Sequence, residues 1–271
     1  MILRLFCALT IALWICLGNV APVMALRSAN AITEEQIVQA EELVSKAMAA
    51  TNAGYFAQAE DYWTEILETF PENPAILSNR GNSRVSQNKL EAAIADYNKS
   101  IELYPNSPNA YLNRGSAWEG LGKYSEAIAD YNQVLKFNPE DPAAYNNRGN
   151  AEAGLGQWKA AVADYQKASE LVPDYAFARA NYALALYQLG ETSEAMRNMK
   201  NLVRKYPKFA DMRAALSAAL WVQGKIGEAE SHWVAALGLD RRYQDLNWVS
   251  KIRRWPPAMV SALQKFIEIE S

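Results

Sequence analysis

Residues 111–128 read YLNRGSAWEGLGKYSEAI, which is one helix, a break at Gly122, and the start of a second helix. Pro108 pre-sets the backbone for a first helix predicted to run to about Leu121. The second is predicted from about Ser125 to Phe137, and Pro139 stops it, because proline lacks an amide hydrogen and restricts the residue before it. Tyr111, Trp118, Leu121, Tyr124, Ile128 and Tyr131 fall at spacings that join the two helices along one apolar seam. Gly115 and Ala127 stand where those helices must approach closely.

The same pattern returns every 34 residues: Pro71, Pro105, Pro139, Pro173 and Pro207 keep that step, as do Ala59, Ala93, Ala127, Ala161, Ala195 and Ala229. Gly54, Gly122, Gly156, Gly190 and Gly224 follow it too, with Asn88 in the remaining place, a residue that also tolerates a left-handed turn. Six repeats therefore fill residues 40–243, starting at Ala40, Pro74, Pro108, Pro142, Ala176 and Ala210. One such hairpin cannot bury its own apolar surface, so neighbours must stack on it. The expected architecture is all-α: a right-handed superhelical solenoid of antiparallel helix pairs, its concave face lined mainly by the first helices.

Tyr111, Gly115, Trp118, Ala127, Tyr131 and Pro139, with their counterparts in the second and fourth repeats, resemble the tetratricopeptide repeat family. Arg114 stands where that family usually has Leu, and Arg241 replaces the proline of the sixth repeat. The resemblance implies a binding scaffold, and it speaks to fold more than to function.

Thr33-Glu34-Glu35-Gln36 has the form of a capping box, so residues 32–39 are read as the start of an extended first helix. Before it, residues 1–31 combine Arg4, an apolar run from Leu5 to Gly18 and small residues at Ala25, Ala29 and Ala31, the layout of a secretory signal peptide cleaved after Ala25 or Ala31. The run is shorter than the ~20 residues of a spanning helix, so tethering by an uncleaved signal is the secondary reading. Both cysteines, Cys7 and Cys16, lie in this segment. Its removal takes Arg4 and Arg27 and no acid, moving the formal charge from −3 to −5. The expected location is a periplasm or a thylakoid lumen.

At the other end, residues 244–271 read as capping helices: one starting at Asp245, a stop at Pro256-Pro257, and a last helix from Ala258 to Ile269. Arg241, Arg242, Lys251, Arg253 and Arg254, interleaved with Trp248 and Trp255, offer a surface for an acidic partner or anionic lipid headgroups. The same residues also suit a cap, with cations at a helix end and tryptophans sealing the last repeat. The motif WVSKIRRWPP is similar to that of exported repeat proteins of cyanobacteria and chloroplast lumens.

The residues supply little for catalysis. The chain has one histidine, His232, and no cysteine beyond the leader, which excludes Cys/His zinc sites and leaves any nucleophile a single candidate base. No glycine fingerprint for phosphates appears, since each glycine marks a turn or a crossing. Glu65, Glu68, Asp96, Asp130 and Asp164 recur on second helices, as a solvated face would. No catalytic residue, metal or cofactor is therefore expected. With a formal charge of −3 there is no basic field for nucleic acid.

Binding is the better-supported function. In the family, groove-facing positions of the first helices include Asn79, Asn113, Asn147 and Asn181, one per repeat, with Asn82, Asn146 and Asn150 beside them. Exposed asparagine is a mediocre helix former, so local propensity does not explain the row. Its amide offers a donor and an acceptor, which is what an extended peptide backbone requires. The row resembles the asparagine ladder of peptide-binding repeat superhelices, although the same amides also suit bonds between neighbouring helices. A carboxylate clamp for chaperone tails fits poorly. Asn82 and Asn113 match it, but Ser78, Ala143 and Asn147 stand where cations belong, and in a second frame Asn146, Asp211 and Ala215 do. Later in the groove, Phe177, Leu184, Tyr187 and Trp221 form either an apolar anchor pocket or a surface for the C-terminal helices to cover. The expected function is a non-enzymatic scaffold that binds an extended peptide, with docking of a folded partner or membrane through the C-terminal segment as the alternative.

Overall fold

Helix starts and stops in the computed structural model, which describes residues 32–270, follow local chemistry closely. Thr33 caps α1 (Glu34–Asn52): its side chain accepts from the Gln36 amide, and the Gln36 side chain answers the Thr33 amide, a closed capping box. Asn73 and Asp141 cap α3 (Pro74–Ser86) and α7 (Pro142–Gly154) through their side-chain oxygens, each helix opening on proline. Within repeats the chain reverses through left-handed residues such as Gly156 at φ 74° and Asn88 at φ 58°. The signal-peptide reading falls on residues 1–31, outside the described part.

The chain divides into two compact units between Leu121 and Gly122. The first holds α1, α2 (Phe56–Thr69), α3, α4 (Leu90–Leu103) and α5 (Pro108–Gly120). Each helix packs on the next, as consecutive helix pairs of a solenoid do. Trp63, Ile66, Ile76 and Leu77 are buried in its core.

The second unit holds α6 (Tyr124–Phe137), α7, α8 (Trp158–Leu171), α9 (Ala176–Gln188), α10 (Thr192–Lys205), α11 (Ala210–Val222) and α12 (Ile226–Leu239). These stack in the same sequential manner. A 3-10 turn (Arg241–Gln244), a short α13 (Leu246–Lys251) and α14 (Pro257–Glu270) follow. The last helix packs against α11 and α9, both first helices of their repeats. Ala214, Ala215 and Ala218 on α11 are fully buried, as are Met259, Leu263 and Phe266 on α14. Small residues on one helix and large ones on the other let the two approach closely. Each unit is all-α, and the expected stacking of antiparallel helix pairs is observed within both.

Candidate functional site

The Asn-Arg-Gly trio separates into three jobs, visible in the second and fourth repeats. At Gly81 an added Cβ would lie 2.7 Å from the Tyr97 ring, and at Gly149 it would lie 2.8 Å from the ring of Tyr165, so glycine is what lets each tyrosine enter. Both rings are buried. Their hydroxyls emerge on the first-helix face and donate to asparagine: Tyr97 to Asn82 Oδ1 at 2.7 Å, Tyr165 to Asn150 Oδ1 at 3.0 Å.

The same oxygens accept from the following repeat. Asn113 Nδ2 donates to Asn82 Oδ1 at 2.9 Å, and Asn181 Nδ2 donates to Asn150 Oδ1 at 3.1 Å. Asn181 also reaches Asn146 Oδ1 at 3.1 Å, and Asn146, itself buried, donates to Asn147 Oδ1 at 3.2 Å. The asparagines are thus chained to one another and oriented by buried tyrosines. Asn79 is partly exposed on the same face. In the first unit, Asn79 and Asn82 line a pocket of about 280 Å³ whose apolar wall includes Val44, Met48, Trp63 and Ile76.

The arginines hold the helices together. Arg80 makes a two-pronged contact with Asp96, Nε to Oδ2 at 3.0 Å and a terminal nitrogen to Oδ1 at 2.7 Å, and Arg148 does the same with Asp164 at 2.6 and 2.7 Å. Arg114 bonds Asn98 Oδ1 at 2.7 Å. Here the solvated-face expectation needs correction. Glu65 and Glu68 are exposed, but Asp96, Asp130 and Asp164 are only 4%, 4% and 6% exposed. The physical reason lies in the arginine that replaces the usual leucine: it brings a guanidinium to the helix crossing, and a carboxylate follows it inside. Arg-Gly followed 16 residues later by Asp-Tyr, repeated three times, was the available sign.

Glu152 is the exception to this pairing. Its Oε2 is buried and lacks a hydrogen-bond partner among the described residues. Burial, reinforced by Asp164 and only partly offset by Arg148, raises its pKa from 4.5 to about 7. The folded state therefore favours the proton, and its stability falls as pH climbs from the unfolded value of 4.5 through 7. Glu152→Gln is expected to gain about 1–2 kcal/mol at pH ~8, discounted for partial exposure, and little at pH ~5, as read from denaturant midpoints. Equal effects at both pH values would refute this.

The apolar anchor residues part company. Leu184 is buried, and Trp221 packs on Phe266 of α14 with ring centroids 5.2 Å apart. Tyr187 is partly buried against the same core. Phe177 lies outside it, 58% exposed. Gln188 Oε1 accepts from the Ala258 amide, fastening the start of α14 across α9.

Of the five cations in the C-terminal segment, Arg253 alone is turned inward. Asp211, at a groove-facing position, is 4% exposed and receives Tyr243 Oη at 2.7 Å, Trp255 Nε1 at 2.9 Å and Arg253 Nε at 3.0 Å. Arg242 pairs with Asp240 and lies 4.6 Å over the Trp248 ring. Arg241, Lys251 and Arg254 are exposed. His232 is partly buried beside Arg213, 3.5 Å from its guanidinium, and burial followed by that cation lowers its pKa. Among the described residues no cluster of His, Cys, Asp or Glu could hold a metal ion, and no helix is long and apolar enough to cross a membrane.

Family models described as TPR repeat match residues 81–122, 120–156 and 149–190, and one described as tetratricopeptide repeat matches 180–241. A tetratricopeptide repeat protein from Parabacteroides merdae ATCC 43184 is 23% identical, with 86% of this chain and 87% of that one covered and a TM-score of 0.65. MamA of Desulfovibrio magneticus RS-1, from its residue 41 onward, is 19% identical over 64% of this chain and 96% of its own, with a TM-score of 0.59. YrrB, described as a TPR protein with an unusual peptide-binding site, is 24% identical over 66% and 92%, with a TM-score of 0.53. At these identities the likeness concerns the fold. No curated protein matches the chain. The matched repeats span more than half of the sequence, and they name a family of protein-interaction scaffolds that are generally not catalytic: this chain belongs to the tetratricopeptide repeat family.

Proposed function

We propose that the chain is a non-enzymatic scaffold that holds an extended, uncharged peptide segment against the first-helix faces of its repeats. The observation that carries this reading is the tyrosine-anchored asparagine pair, Tyr97–Asn82–Asn113 in one unit and Tyr165–Asn150–Asn181 in the other. An amide already fixed in orientation loses little freedom when it bonds a peptide group, which favours binding. The pocket beside Asn79 and Asn82 has room for one apolar side chain of the peptide, and no cation lines it. The N-terminal sequence supports export to a periplasm or thylakoid lumen. Arg253, Tyr243 and Trp255, which converge on Asp211, support a capping role for this part of the C-terminal segment.

A random peptide library selected on the protein gives the test. For a selected peptide, the pair Asn79→Ala and Asn113→Ala is expected to weaken affinity roughly ten- to hundredfold, from two hydrogen bonds of about 1 kcal/mol each or somewhat more. The fold should survive, because Asn82 still satisfies the Tyr97 hydroxyl. Full affinity in a folded double variant would remove the asparagines from the site.

A further inference from the structure

We propose that the cleft beside the α10–α11 connection is a second docking site, for an acidic peptide segment carrying one aromatic or bulky aliphatic side chain. The cleft measures about 520 Å³ and is lined by Phe177, Lys205, Tyr206, Pro207, Lys208 and Phe209. That volume lies within the range of about 300–1,000 Å³ typical of ligand sites. Phe177 is 58% exposed and meets Phe209 edge to face, centroids 5.8 Å apart, so a large apolar surface stands open to solvent. The exposed rings offer a contact for a bulky apolar side chain.

The rim is cationic although the chain carries a net −3. Lys205 pairs with Asp174 and lies 5.5 Å over the Tyr206 ring. Arg213 is held at the edge by donating Nε to the Pro207 carbonyl at 2.7 Å. Lys208 is exposed. Of the two lysines that line the cleft, Lys205 is paired with Asp174, and the added charge of Lys208 favours an acidic ligand.

Repeat architecture does not account for this chemistry. At the positions 34-residue steps before Lys208 stand Asp174, Glu140, Asn106 and Glu72, and the step after it brings Arg242, so the cation enters only at the last two boundaries. Phe209 occupies the place where Asn73 and Asp141 cap their helices, and it makes no side-chain cap. Phe177 replaces Ala75, Asn109 and Ala143. An apolar, basic cleft thus stands where the earlier boundaries carry acidic or neutral residues. None of the asparagines takes part, so the site is separate from the one proposed above.

The probe is a fluorescein-labelled synthetic peptide with one phenylalanine flanked on each side by glutamates, titrated by anisotropy against the whole chain. Saturable binding is expected, weakened roughly tenfold by Phe177→Ala and by Lys208→Glu, and weakened by salt between about 50 and 500 mM. Both positions are exposed, and unchanged thermal midpoints will show that the fold is kept. A peptide with lysines in place of the glutamates should not bind. The variant carrying Asn79→Ala and Asn113→Ala should bind the probe as the parent does. The proposal is overturned by absence of saturable binding, by parental affinity in both cleft variants, or by loss of binding in the asparagine variant. Binding of phosphatidylserine vesicles without binding of the peptide also overturns it.

Discussion

Asp211→Ala is expected to destabilise the C-terminal unit by about 3–5 kcal/mol, the typical cost of removing one partner from a buried charge pair. The carboxylate ties α11 to two later segments, the 3-10 turn and the stretch before α14. Tyr243 from the 3-10 turn and Trp255 from the stretch before α14 donate to Oδ1, and Arg253 reaches Oδ1 by Nε and Oδ2 at 2.9 Å by a terminal nitrogen. Alanine removes the carboxylate from one guanidinium and takes the acceptor from two buried donors, Tyr243 and Trp255. Urea unfolding followed by tryptophan fluorescence reads the effect directly, since Trp255 is itself a ligand of the carboxylate. Loss of the cap should also expose Trp221 and Phe266, which now pack on each other. A cost below about 1 kcal/mol would mean that apolar packing of α14 on α11 holds the cap without Asp211.

In the N-terminal unit the corresponding change is Asp96→Ala, expected to cost about 3 kcal/mol. Asp96 is buried beneath Arg80 and Arg84, and Arg84 continues to Glu60, Nε to Oε1 at 2.8 Å, so one substitution leaves two cations short of a partner. Arg80 and Arg84 are still partly in water, which keeps the figure at the lower end. Thermal unfolding of single and double variants with Arg80→Ala would separate the pair from its surroundings, and an additive cycle would contradict the coupling. Glu60 adds a pH signature. Burial raises its pKa, but hydrogen bonds from Lys89, Arg84 and Gln87 outweigh this and hold it at about 2. A depressed carboxylate contributes stability that is present above its unfolded value of 4.5 and is lost as pH falls towards 2.

The two families of charged residues show how far a sequence can be read. Arg114 and its counterparts were recognisable as helix-bonding residues, because a guanidinium replacing leucine at a crossing must find an acceptor. Their partners were harder to see. A recurring aspartate on a second helix looks the same in sequence whether it faces water or a guanidinium, and the choice depends on how closely two helices approach. The asparagine row was legible as a periodic feature with no helix-forming reason to exist. Its internal chaining was not, since it depends on Tyr97 and Tyr165 entering beside Gly81 and Gly149 from another helix.

What the sequence determined alone is the repeat: the 34-residue step, the helix ends set by proline and capping residues, and the left-handed turns. Those depend on a few neighbouring residues, whose backbone preferences and hydrogen bonds are settled locally. Tertiary structure decided which face of the later repeats stays open. Gln188 fastens Ala258 from 70 residues away, and Asp211 gathers Trp255 from 44. Burying Leu184 and Trp221 under α14 while leaving Phe177 in solvent is a matter of shape and distance between segments remote in the chain, which no local propensity encodes.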